Sequence, residues 1–535
     1  EIIPAETTSA DSLNAVEQYC KTMGKVVIIC KDRPGFVVNR FFVPWLNEAC
    51  HLLDEGVASI AQIDSVAEKA FNIGMGPFAL MNLTGPAIAL HATNYLSEQL
   101  NCPRYSGAKS LRDTIENSGM WEIGESTECD EDVAEIIRER LLGQVFAVSS
   151  QIVEEEICSI EDVDRGAKVG LRWEEGPFEI ANKIGIKEAI RMAKSYSELA
   201  QFKLPLWFEE KDKLFKFNYI DININGKIAK IKLNRPEAMN ALNESLVEQL
   251  GSALDLLNSR DDIDTIVLEG AGKAFVAGAD VKFFVDKINQ DAIKDIYDFT
   301  AYGHEVLNKL EKSEKTTIAL TTGLALGGGL ELALSCDYRI GTRRSQFRFP
   351  ETSIGIFPGL GGTQRTPRIC GIESARYAIL AGNFLDAETA SALGIITHLV
   401  EASDIPNIIT EISLKGKPEN KYPAEPKDKN HPVSLFAMKF YKNENMSEIM
   451  LGKIPGDFEE DNKKVIRQMK SLSFTAPIAL EIANQLLNDS VSTGDDLDRG
   501  LNLELAQLNT IFESKDALEG LSALIEGRRP KYHNF

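Results

Sequence analysis

Two glutamates set in glycine-rich turns are the residues of this sequence best suited to chemistry. In LALGGGLELAL (324–334), Gly327, Gly328 and Gly329 lead from a short apolar run into a helical one. The first N–H groups of a helix have no partner inside it and suit an oxyanion. Glycine also lets a ligand approach the backbone closely. Glu331 falls in the first helical turn, where the dipole favours its ionised form. It suits a general base, and equally an ordinary first-turn carboxylate. In FRFPETSIGIFPGLGGTQR (347–365), Glu351 follows a proline and opens a loop containing Gly355, Gly359, Gly361 and Gly362. Two carboxylates beside one oxyanion site can share acid and base work on a water molecule. Upstream, in GKAFVAGADVKFF (272–284), a backbone N–H near Ala279 suits a second oxyanion donor. Lys273 and Lys282 flank it, as cations for a phosphate or as solvated loop tips.

The elements that must position these turns alternate between strand and helix. Short β-branched runs at 226–233, 265–270, 316–322 and 337–342 read as strands. A helix carrying Leu246, Val247, Leu250, Leu254 and Leu257 on one face lies between the first two. This is the pattern of an α/β domain. The segment 415–433, rich in Pro, Lys and Glu, reads as a solvated loop or hinge, and a helical block follows it.

The first 200 residues differ. They repeat themselves at an offset of 100 positions without a gap: Glu55, Ser59, Ile60, Asp64, the Gly76-Pro77-Phe78 triplet, Asn82 and Gly85 all recur. Helical periodicity at 41–54 and 142–157, with Gly-Pro breaks at 76 and 176, predicts two copies of one helical unit. VVIIC (26–30) reads as a strand, and 203–216 as a linker.

Composition bounds the rest. The 535 residues carry 58 Lys and Arg against 80 Asp and Glu, a net charge of −22. Nucleic acid and anionic membrane are therefore poor partners, and a phosphate-bearing ligand must rely on local cations and N–H groups. The eight cysteines form no CxxC pair and fit free thiols in a reducing, cytoplasmic compartment. No zinc pattern, HExxH or spanning apolar segment is present, which implies no metal and no membrane.

In order, KIAKIKLNRPEAMNAL, KAFVAGAD, ALGGGLELAL and FPETSIGIFPGLGGTQR resemble the enoyl-CoA hydratase/isomerase (crotonase) family. DALEGLSALIEGRRPKY is similar to its closing helix and tail. The resemblance implies a ββα spiral and a coenzyme A thioester substrate. It assigns the oxyanion N–H pair to Ala279 and Gly328, the catalytic carboxylates to Glu331 and Glu351, and the water site to Gly359. Lys273, Lys282 and Ala277 would contact coenzyme A. Both glutamates are present, which favours hydration of a trans-2-enoyl-CoA. Double-bond isomerisation, thioester hydrolysis and a non-catalytic acyl-CoA-binding module are the alternatives. Glu237 stands where some relatives carry a CoA-directed lysine. The resemblance also implies a trimer-type homo-oligomer.

IIPAETTSADSLNAVEQYCKTMGKVVIICKDRPGFVVNRFFVPWLNEA is similar to the 3-hydroxyacyl-CoA dehydrogenase family just after its dinucleotide domain. The resemblance places Glu1 at the glutamate of that family's His–Glu pair and Asn39 at its active-site asparagine. The family's histidine and its strand–GxGxxG–helix unit are not in the chain. The expectation is a β-oxidation-type bifunctional enzyme truncated in its NAD-dependent half. Its all-α duplicated units, 1–105 and 106–202, and a linker, 203–216, precede an α/β crotonase domain with a helical C-terminal part, 217–535.

Overall fold

The 100-residue repeat folds as two matching sets of helices. The first comprises Val38–Asp54, Ile60–Phe71, Pro77–Thr84 and Pro86–Gln99. The second comprises Glu131–Glu154, Ile160–Arg165, Pro177–Ile184 and Ile186–Leu199. The computed structural model describes residues 1–117, 119–125 and 128–534. These divide into two units, Glu1–Phe217 and Asn218–Phe535.

The repeated residues are those that start helices and join them. Ser59 and Ser159 cap their helices by accepting the Gln62 and Asp162 N–H groups. Asp64 then accepts the Phe78 and Ala79 N–H groups at 2.8 and 3.0 Å. Asp164 does the same for Phe178 and Glu179 at 2.8 and 2.9 Å. Each aspartate thereby satisfies two otherwise unpaired N–H groups where Gly-Pro begins the next helix.

The two copies share one core. Trp173 of the second copy packs on Trp45 and Phe71 of the first, at ring separations of 5.8 and 4.6 Å. Ion pairs run reciprocally between the copies: Arg40 meets Glu155 at 2.6 Å, and Arg140 meets Glu55 at 2.9 Å.

Two expectations are corrected in this unit. Residues 203–216 are not a linker: Leu204, Phe208 and Phe215 are buried in the core. They close the second copy as Trp121 closes the first. The Asn182 amide exchanges two hydrogen bonds with the Phe215 backbone, as Asn82 does with Trp121. The VVIIC run makes no full strand. It forms one parallel bridge, Ile29 to Ile2.

The second unit contains strands β1 (Ile220–Asn225), β2 (Ile228–Leu233), β3 (Thr265–Gly270), β4 (Ala274–Ala277) and β5 (Thr316–Thr321). Strands β6 (Leu324–Leu326), β7 (Tyr338–Gly341), β8 (Gln346–Arg348), β9 (Leu385–Asp386) and β10 (His398–Leu399) follow. One sheet has the order β1-β2-β3-β5-β7-β10, the other β4-β6-β8-β9. Successive strand pairs, β3–β4, β5–β6 and β7–β8, each give one strand to each sheet, so the chain climbs as a spiral. β1 is antiparallel to β2 and β9 to β8, and the remaining pairs are parallel. All six residues of β5 are buried, as expected for a parallel strand covered on both faces.

Helices fill the crossovers. Glu244–Asn258 buries the predicted Leu246, Val247, Leu250, Leu254 and Leu257, each contributing about 1.5–3 kcal/mol. The 415–433 segment is largely exposed but pinned at its middle. Lys421 Nζ donates to Glu311 and to the Ser335 carbonyl, and the Tyr422 hydroxyl donates to Glu311. The helices after it include Leu497–Ala506, Leu508–Phe512 and Lys515–Ile525.

Candidate functional site

A cavity of about 450 Å³ opens where the ends of β4, β6 and β8 meet the last helices. Ala277, Ala279, Gly328, Glu331, Glu351 and Gly359 all line it. Its remaining wall is mostly apolar, with Phe284, Phe299, Leu508 and Phe512 among the side chains. The rings of Phe284 and Phe512 stack at 5.2 Å.

The predicted oxyanion pair is assembled by strand order. β4 and β6 are parallel neighbours, so the turns that follow them lie side by side. A Cβ placed on Gly328 would lie 3.9 Å from the Ala279 nitrogen. Leu242 bridges across Ala279, but the bonds of that bridge use the Gly278 carbonyl and the Asp280 N–H. Among the described residues, neither the Ala279 nor the Gly328 N–H has an acceptor. Gly328 is also the first residue of the Gly328–Leu334 helix, whose dipole adds positive potential there.

The two glutamates are buried beside this pair, only 2 % and 6 % exposed. Glu331 Oε1 accepts the Leu360 and Gly362 N–H groups, both at 2.7 Å. Glu351 Oε2 is buried without a hydrogen-bond partner among the described residues. Burial pushes the Glu331 carboxyl well above its ordinary range, and the charges of Glu351 and Glu504 push it further. Glu351 is raised to about 8, chiefly by burial; the Arg348 guanidinium lining the same cavity opposes the rise. Two buried carboxylates in one site cannot both ionise cheaply, so at neutral pH they hold a proton between them. The two N–H bonds favour the ionised form of Glu331 and oppose its rise. The arrangement offers one base, one acid and two oxyanion donors facing an apolar slot.

The lysines are not brought to this cavity. Lys273 is exposed in the turn between β3 and β4, and Lys282 is exposed near the start of the Val281–Asn289 helix. Neither lines the cavity, whereas Ala277 does. Three lining or supporting residues carry no signal in the sequence: Arg348, His304 and Glu504. Glu504 sits in LNLELAQL, which reads as an ordinary amphipathic helix, and only long-range packing buries it completely.

In the first unit, Glu1 and Asn39 come together at the start of the Val38–Asp54 helix. Glu1 Oε1 accepts the Val37 and Val38 N–H groups, both at 2.9 Å, and Asn39 is exposed in the same turn. The described residues of 1–217 contain no strand followed by a glycine loop and helix. Those residues therefore present no dinucleotide cradle.

Comparison with known proteins accounts for both units. Residues 228–534 match the model of the family described as enoyl-CoA hydratase/isomerase. The chain belongs to that family. Residues 35–122 and 137–215 each match the model of the 3-hydroxyacyl-CoA dehydrogenase C-terminal domain, so each copy of the helical unit is similar to that domain. A probable enoyl-CoA hydratase of Mycobacterium bovis is 40% identical over 316 residues, covering 59% of this chain and 98% of its own. A crotonyl-CoA hydratase of Syntrophomonas wolfei is 28% identical over 307 residues, covering 57% and 94%. An enoyl-CoA hydratase structure from Rhodobacter sphaeroides superposes with a TM-score of 0.51 at 22% identity, over 59% of this chain and 93% of that one. That likeness establishes the fold of the second unit as the crotonase α/β spiral.

Proposed function

We propose that residues 218–535 add water across a trans-2-enoyl-CoA to give a (3S)-3-hydroxyacyl-CoA. The observation that carries this reading is the pair of buried carboxylates flanking two unpaired N–H groups in one apolar cavity. The thioester oxygen sits on the Ala279 and Gly328 N–H groups, which take up charge as the enolate forms; one such donor is worth ~2.7–4 kcal/mol. Glu331, held by the Leu360 and Gly362 N–H groups, takes a proton from water as the oxygen bonds to the β-carbon. Glu351 delivers its proton to the α-carbon. The turn at Gly359 lines the water position, and Ala277 with the Lys273 and Lys282 region borders the coenzyme A path. The hydratase relatives of the second unit support this reaction over isomerisation or hydrolysis.

The dehydrogenase C-terminal domains on the same chain support a bifunctional enzyme of β-oxidation-type acyl-CoA metabolism. In such an enzyme the hydroxyl product is oxidised by an NAD-dependent partner activity, to which Glu1 and Asn39 belong. We place the enzyme in the cytoplasm as a trimer-type homo-oligomer; no described helix is long and apolar enough to cross a membrane.

The test is loss of the conjugated-thioester absorbance of crotonyl-CoA, with product analysis in labelled water. One labelled oxygen at C3 is expected. Free coenzyme A, or a shifted double bond without oxygen incorporation, would replace the hydratase reading with a hydrolase or isomerase.

A further inference from the structure

The turn 359–363 is gripped by two carboxylates, and only one of them faces the reaction. Its Leu360 and Gly362 N–H groups donate to Glu331 Oε1, on the cavity side. The N–H between them, of Gly361, donates to Glu504 Oε1 at 2.5 Å, and the Thr363 hydroxyl donates to Glu504 Oε2. Alternate N–H groups of one turn are thus divided between two buried acids. His304 completes the grip: its Nε2 lies 2.8 Å from the Gly359 carbonyl and 3.4 Å from Glu504 Oε1. The shorter contact puts the proton on Nε2, and Nδ1 is left buried without a partner among the described residues. Arg365 is the other charged group facing Glu504; its Nε is committed to Glu311 at 2.9 Å and its Nη1 to the Leu360 carbonyl at 3.1 Å. Glu331 and Glu351 face Glu504 from the cavity side, and its negative charge acts to raise both.

We propose that Glu504 is a positioning residue for the reaction: its buried carboxylate holds the 359–363 turn and governs how Glu331 and Glu351 share their proton. The proposal rests on the hydratase reading of the cavity. It requires that an acid which touches no substrate controls the pH range of turnover. A full negative charge in a site that excludes water acts on its neighbours far more strongly than one at the surface. The Gly361 N–H and the Thr363 hydroxyl both donate to that carboxylate.

Glu504→Gln retains the size of the side chain and an acceptor for the Gly361 N–H, but removes the charge. The pH limits of kcat/KM for crotonyl-CoA hydration are expected to move down by about one unit, the scale of a like-charge interaction in a buried site. KM is expected to change little. Thr363→Val removes one hydrogen bond and leaves the charge in place, so it is expected to leave the limits unmoved. If Glu504→Gln does not fold, limits that move in Thr363→Val would be traced to the turn rather than to the charge and would overturn the proposal. Infrared titration of the buried carboxyl band in the intact chain reads the same shift without turnover. An inactive wild-type protein would therefore overturn the hydratase reading separately. A lower kcat at every pH with unmoved limits and titration midpoints would make Glu504 a structural anchor and overturn the proposal.

Discussion

The Glu351 carboxylate fills the space that a side chain on residue 327 would need: a Cβ there would lie 2.3 Å from Glu351 Oε1. Gly327 also has φ +47°, so its backbone disfavours any other residue. Gly327→Ala is expected to displace the acid and cut kcat by about 10²-fold or more, with crotonyl-CoA hydration as the readout. Activity within a few-fold of wild type would show that Glu351 acts from a different position.

Glu351→Gln keeps the shape of the side chain and removes its acidic proton. Proton transfer by a placed acid contributes typically 10²–10⁴-fold, so kcat is expected to fall by about that much. Binding of a saturated acyl-CoA, measured by calorimetry, is expected to persist. Unchanged turnover would remove Glu351 from the mechanism.

The same substitution is expected to stabilise the protein in a pH-dependent way. Burial pushes the Glu351 carboxyl up to about 8 in the folded protein, from an ordinary value near 4.5. A raised acid contributes its full stability below the unfolded value and loses it as pH rises through the folded one. Wild type should therefore lose stability between about pH 4.5 and 8, and Glu351→Gln should lose less. Thermal melting at pH 5 and pH 8 checks this: the gap between variant and wild type must widen at pH 8.

Asp164 serves two N–H groups at the start of the Pro177–Ile184 helix, and Phe178 is buried. Asp164→Ala leaves both donors without that acceptor and is expected to cost about 1–3 kcal/mol. Denaturant unfolding of the first unit, followed through Trp173, measures the loss. Hydratase activity should survive, since the cavity lies wholly within the second unit.

The chain of residues 1–535 is expected to form no NADH from 3-hydroxybutyryl-CoA, because its described residues build no dinucleotide cradle. Appreciable reduction of NAD under the same conditions as hydratase turnover would contradict that architecture.

The sequence by itself determined the elements whose cues are local. Gly76-Pro77 and Gly176-Pro177 stop and restart helices wherever they are placed, so the duplicated unit was legible from its offset alone. β3 falls at 265–270 as its β-branched run predicts, and the Gly328–Leu334 helix follows its glycines as expected. The glycine turns that carry Gly328, Glu331 and Glu351 to one cavity were legible as turns for the same reason: glycine and proline fix their backbone locally. Tertiary structure decided what depends on distant partners. Residues 203–216 carry no period, and only burial of Phe208 and Phe215 shows that they complete the second copy. Lys273 and Lys282 flank the oxyanion turn in sequence but project from exposed backbone outside the cavity wall. Glu504 lies 173 positions beyond Glu331 and becomes its electrostatic neighbour only when the late helix packs on the 359–363 turn. Charge reaches through space and not along the chain, so only folding could bring that third acid to the pair.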